Sequence, residues 1–203
     1  MKNKIKILHG LPPEMKRDLA EIYYEAFGEK LSIFIKPKHK AIFLLEEALN
    51  TNWGFYALEN NELLGFLGYE IKGNYYSDFN FYKLKKIFGL GRAAYITLAF
   101  RLASNINLKE RQILVDSLAV KKHMRQRGIG TMLLNQFFRF AKRQGFHEAI
   151  IEVVNTNTKA LRLYKKLGFK PIKKRKYHIF TRRLGFSASI TMLKDLRTEN
   201  LKS

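Results

Sequence analysis

Apolar residues recur along this chain with two periods, and the period switches segment by segment. KIKIL near the N-terminus reads as a short strand. In LPPEMKRDLAEIYYEAFGEKL the residues Leu19, Ile22, Tyr23, Ala26 and Phe27 fall at helical spacing behind a proline start. HKAIFLLEEALN predicts a second helix. WGFYALE and ELLGFLGYEI flank Asn60 and Asn61, which is the pattern of a hairpin. ILVDSLAV predicts a strand, GIGTMLLNQFFRFAKRQG a helix closed by Gly145, and EAIIEVV another strand. TKALRLYKKLG predicts a helix with Gly168 as its stop, and two last strands are expected at about 170–180 and 186–194. No internal repeat or low-complexity segment interrupts this alternation.

One segment does not fit a simple connection. NYYSDFNFYKLKKIFGLGRAAYITLAFRLASNINLKER separates the hairpin from ILVDSLAV, and its length marks a helical insertion at about 73–110. Its second half has helical apolar spacing with basic residues between, and Phe79, Phe81, Tyr82, Leu84, Ile87, Phe88 and Leu90 alternate with Lys83, Lys85 and Lys86. Such a segment suits a lid over a pocket, a helix lying on a membrane surface, or an extra helix packed on the core.

Composition narrows the classes. With 203 residues, 46% of them hydrophobic, the chain can bury one ample core, and a single domain over 1–203 is expected. There is no cysteine, which excludes disulfides, zinc–thiolate sites, iron–sulfur clusters and a cysteine nucleophile. His9, His39, His123, His147 and His178 show no metal-ligand spacing, so no metal is expected. The longest apolar stretch, AAYITLAF, falls far short of the roughly 18 residues of a spanning helix, and MKNKIKILHG lacks the apolar core of a signal peptide. A soluble, cytoplasmic protein without a transmembrane segment is expected. The formal net charge of +21 attracts nucleic acid, anionic membrane or a phosphorylated ligand, but lysines are scattered throughout, which is also the pattern of a solvated surface with no specific nucleic-acid partner.

Chemistry concentrates at RQRGIG, residues 125 to 130, between a predicted strand and a predicted helix. A helix N-terminus carries unpaired N–H groups and partial positive charge, and glycines let the backbone approach a phosphate closely. Arg125 and Arg127 add charge and donors, so a pyrophosphate fits there. An ordinary capped turn with solvated arginines fits the same residues, and the Walker lysine–hydroxyl pair and the third glycine of a dinucleotide fingerprint are missing.

The context decides. LAVKKHMRQRGIGTMLL followed by IIEVVNTNTKALRLYKKLGF resembles the acyl-CoA-dependent N-acyltransferases known as GNAT proteins. The resemblance implies an α/β fold of the α+β type: a mixed, mostly antiparallel sheet flanked by helices, with a splayed parallel strand pair holding acyl-CoA. It implies that Arg125, Gln126, Arg127, Gly128, Ile129, Gly130 and Thr131 bind the pyrophosphate of coenzyme A, and that Leu118, Ala119 and Val120 pair with its pantetheine arm. The family's second signature is matched by Asn157, Ala160, Tyr164 and Phe169, and the resemblance counts Asn157 and Ala160 among the residues that bind coenzyme A.

Acidic residues supply the remaining candidates. Alternation places Asp116 on one strand face with Leu114, Leu118 and Val120, and Glu152 on one face with Ile150 and Val154; a carboxylate on a buried strand face must be paired or used. In the resemblance both border the thioester. An amine of pKa near 10.4 costs about 4 to 5 kcal/mol to deprotonate at neutral pH, so a general base is needed. Glu152, twelve residues before Tyr164, has the spacing of the family's ribosomal-protein N-terminal acetyltransferases, and Asp116 matches the base of other branches. Tyr164 would protonate the departing thiolate. The expected function is acetyl transfer from acetyl-CoA to a primary amine, in a small molecule or a protein, by direct attack in a ternary complex. The alternative is a non-catalytic acyl-CoA-sensing or basic binding module on the same fold. A homodimer is left open.

Overall fold

The computed structural model describes residues 4–103, 106–177 and 185–197. Strands β1 (Lys6–His9), β2 (Gly54–Glu59), β3 (Glu62–Glu70), β4 (Gln112–Val120), β5 (Glu148–Val154), β6 (Lys170–Lys176) and β7 (Ala188–Asp195) form one sheet in the order β1-β2-β3-β4-β5-β7-β6. Every neighbouring pair is antiparallel except β4 and β5. Helices α1 (Lys16–Leu31), α2 (Lys38–Ala48), α3 (Phe81–Phe88), α4 (Leu90–Ala103), α5 (Ile129–Arg143) and α6 (Thr158–Lys166) flank it. The β2–β3 turn puts Asn60 and Asn61 at φ 52° and 61°, the left-handed pair a tight two-residue hairpin requires. The part of the last strand pair expected at 178–180, and His178, lie outside the described residues.

Two apolar layers sandwich the sheet. α5 buries Ile129, Leu133, Leu134, Phe137, Phe138 and Ala141, one helical stripe, against Phe55, Leu67, Tyr69, Ile113, Val115 and Ile151. Each such side chain, taken from water, contributes roughly 1.5 to 3 kcal/mol. On the other face α1 and α2 bury Leu19, Ile22, Tyr23, Ile42 and Leu45 against Tyr56, Phe66 and Ala119. The insertion contains two helices rather than the one its second half indicates. Leu84 of α3 and Ala93 and Ile96 of α4 pack on Ile35, Ala41 and Leu44, so the segment is docked on α2. β6 is an exposed edge whose lysines discourage pairing with another sheet.

Strand alternation breaks once where it matters. Tyr69 pairs with Val115, but Gly68 pairs with Ser117, so Asp116 is an extra residue in β4. Leu118 and Val120 then pack on the α5 side, while Asp116 lies near Tyr23 and Tyr76 on the α1 side. This corrects the sequence expectation that Asp116 shares a face with Leu118 and Val120. An added residue reverses the parity of everything after it.

Candidate active site

The site begins where β4 and β5 part. Their parallel pairing runs from Gln112–Glu148 to Val115–Ile151 and stops, although β4 stays paired with β3 to Val120 and β5 stays paired with β7 to Val154. A wedge therefore opens at Asp116 and Glu152. Strand backbone groups point alternately to the two sides. Lys121 N–H donates to Leu64 C=O on β3 at 2.8 Å, so the peptide groups of Leu118 and Val120 face the wedge and those of Ala119 face β3. Arg125 Nε donates to Val120 C=O at 3.1 Å, and the rest of that edge is available to an extended ligand.

Along the chain, β4 passes from the wedge through a turn into the N-terminus of α5. Gly128 caps the helix at φ +78°, and a Cβ there would meet nothing within 4 Å. The first helical bond is Met132 N–H to Gly128 C=O at 3.0 Å, so the amides of Ile129, Gly130 and Thr131 have no acceptor among the described residues. Gln126 also adopts a positive φ of 67°, and open space, unpaired amides and the helix dipole make this an anion cradle. The two arginines behave differently from their sequence reading. Arg125 braces the end of β4, and Arg127 is turned to Glu59, 3.1 Å from its Oε1, with a further contact to Met124 Sδ. Cradle charge comes from the backbone more than from these side chains in this state.

The carboxylates gather on the α1 side of the sheet. Asp116 Oδ1 accepts from Ser77 Oγ at 3.3 Å, whereas its Oδ2 is buried without a donor. Beside it stands Glu70, at the end of β3, whose carboxyl also meets the backbone amides of Ser77 and Tyr76. Burial, and then the Asp116 charge, push Glu70 up to about 8; burial likewise raises Asp116. Protonated, Glu70 would supply a donor to the Oδ2 of Asp116, one proton then serving two acids. Sequence reading missed Glu70. Its signal was the parity of Phe66, Gly68 and Glu70 on a single strand, which puts a carboxyl on an apolar face.

Glu152 is exposed, not buried as its strand pattern implied, because β4 has already left its side. Ser189 Oγ of β7 donates to its Oε1 at 2.5 Å, and Tyr177 OH lies 3.1 Å from the same serine oxygen. That chain spans strands far apart in sequence and carries no local signature. Tyr164 of α6 lies across the sheet from these acids, in the α5-side core, edge-on to Phe169 at 5.8 Å. Burial raises its phenol to about 12. Asn157 caps α6 through Oδ1, which accepts from Ala160 N–H at 3.2 Å.

An open parallel pair, with a glycine turn and a helix N-terminus following its first strand, is the arrangement the two sequence signatures imply. A family model described as the Acetyltransferase (GNAT) family matches residues 13–169. The chain belongs to the GNAT acetyltransferase family. The GNAT fold recurs in solved structures. An N-acetyltransferase from Staphylococcus aureus Mu50 aligns with a TM-score of 0.62 at 17% identity, over 96% of this chain and 99% of that one. The ribosomal-protein-S18-alanine N-acetyltransferase from Escherichia coli aligns with a TM-score of 0.56 at 14% identity, over 98% and 99%. Human N-acetyltransferase 8B is 31% identical over 75 residues, which are 37% of this chain and 33% of that protein; the match thus spans a third of the relative's length. Among the described residues of this GNAT protein no group of three or more histidine and acidic side chains is placed to hold a metal ion, and no helix is long and apolar enough to cross a membrane.

Proposed function

We propose that this GNAT protein transfers an acetyl group from acetyl-CoA to a primary amine by direct attack in a ternary complex. The observation that carries the reading is the wedge past Val115–Ile151, with the unpaired amides at the start of α5 following β4 in the chain. Acetyl-CoA supplies an activated acyl thioester. Ile129, Gly130 and Thr131 would hold its pyrophosphate, and the wedge-facing peptide groups of Leu118 and Val120 its pantetheine arm.

The acids and the phenol flank the wedge from opposite faces of the sheet, which divides their work. Glu152, oriented by Ser189, takes the proton of the attacking amine, directly or through water. Asp116 is the second candidate base. Tyr164 stays protonated at neutral pH because burial holds it at about 12. Complete transfer from such a phenol to a thiolate of pKa about 8.5 is uphill by roughly 4 to 5 kcal/mol. Tyr164 therefore stabilises the departing thiolate by donating a hydrogen bond; the thiolate then takes a proton from solvent, and Glu152 releases the amine's proton to solvent. No cysteine is present to form an acyl-enzyme through sulfur, which favours direct attack.

The test is calorimetry with acetyl-CoA. Wild-type protein should bind it, and Gly128→Glu should not, because bulk and negative charge would occupy the cradle and a side chain is strained at φ +78°. Unchanged affinity in a folded Gly128→Glu variant would remove the cradle from the account.

A further inference from the structure

The insertion carries a surface that catalysis does not use. α4 docks through Ala93 and Ile96, and its opposite side presents Leu90, Ala94, Tyr95 and Leu98, an apolar stripe at helical spacing. Leu90 is 63% exposed, Tyr95 56% and Leu98 59%, and Tyr82 on α3 reaches 82%. A soluble helix face normally places polar residues there.

The charged residues within α3 and α4 are all of one sign. From Phe79 to Lys109 the sequence has no Asp or Glu, while Lys85, Lys86 and Arg92 are exposed beside the stripe. Arg92 and Lys40 of α2 both lie over the Phe88 ring, at 5.5 and 6.0 Å, so their stems cover apolar surface while their charges stay outward. Lys83 is paired with Asp78 and takes no part.

We propose that the outer face of α3 and α4 docks flat on an anionic lipid bilayer. Exposed leucines and tyrosines enter the headgroup boundary, and Lys85, Lys86, Arg92 and Lys40 meet the lipid charge. Two other occupants fit worse. A second copy would bring two helix pairs without acidic residues together, and a nucleic acid gives Leu90 and Leu98 no apolar phase to enter. The helices are short and broken at Gly89, so the segment lies on the bilayer rather than crossing it.

Vesicle flotation of the full chain tests this. It should float with phosphatidylcholine–phosphatidylserine vesicles and not with phosphatidylcholine alone, with retention falling as salt rises. Leu90→Ser/Leu98→Ser should cut partitioning more than tenfold at unchanged charge. Each of Lys85→Ala, Lys86→Ala and Arg92→Ala should cost about fivefold. Acetyl-CoA affinity and far-UV circular dichroism should stay as in wild type. A direct reporter, Trp53→Phe/Tyr95→Trp, should be quenched by brominated acyl chains. Vesicle binding that ignores the serine variants and leaves that tryptophan unquenched would overturn the proposal. So would a dimer, or a nucleic-acid complex, that these substitutions abolish while vesicle binding persists.

Discussion

Replacing Glu70 by glutamine tests the shared proton under the wedge. In the folded protein Glu70 is raised to about 8, against 4.5 for an ordinary glutamate, by burial and by Asp116. A carboxyl raised on folding stabilises the fold fully below its unfolded pKa, and that stability is lost as pH climbs through the folded one. The window is thus about pH 4.5 to 8. Each pH unit in which only the folded state keeps the proton costs about 1.4 kcal/mol, an upper bound near 5 kcal/mol. Partial exposure and sharing with Asp116 reduce this to about 2 to 3 kcal/mol. Glu70→Gln keeps the shape and a donor for Asp116 but cannot ionise. The stability of the variant minus that of wild type should therefore rise by about 2 to 3 kcal/mol between pH 5 and pH 9, while effects of the large positive charge cancel in the difference. Urea unfolding followed by Trp53 fluorescence at several pH values measures it. Asp116→Asn should shrink the same pH dependence, because Glu70 then loses the neighbouring charge. A difference that stays flat across the window would refute the shared proton.

Three further outcomes follow from the same geometry. Glu152→Gln should lower turnover and flatten the acidic limb of the pH–rate profile at nearly unchanged acetyl-CoA affinity; if only Asp116→Asn does this, the two roles are reversed. Tyr164→Phe should lower kcat by about ten- to a hundredfold with a small change in KM, and equal activity would leave Tyr164 as core packing alone. Gly68→Ala should lower stability by about 1 to 3 kcal/mol, because its Cβ would stand 2.1 Å from a ring carbon of the buried Tyr76, whose neighbour Ser77 bonds Asp116; thermal unfolding matching wild type would contradict that packing.

What was legible in the sequence was local. The α5 stripe, the Asn60–Asn61 turn and the glycine turn at Gly128 are each written within a few consecutive residues, and they stand where periodicity and turn chemistry put them. The bulge at Asp116 was not legible, because an extra residue inside an alternating strand leaves the pattern of residue types unchanged until the partner strand is known. Long-range polar pairings were equally hidden. Arg127 meets Glu59 across 68 residues, Ser189 meets Glu152 across 37, and Glu70 meets Asp116 between two strands separated by the insertion. Strand parity alone also made Glu152 appear buried; its exposure follows from where the parallel pairing ends.

Thiol release from acetyl-CoA across a panel of amines, with mass measurement of each amine, tests the central claim most directly. The panel should include peptides with free N-termini, lysine side chains, polyamines and aminoglycosides. The account predicts thiol released in step with acetylated product for at least one primary amine, and none without amine. A folded protein that binds acetyl-CoA but releases no thiol with any amine would contradict the transferase and leave a binding module in its place.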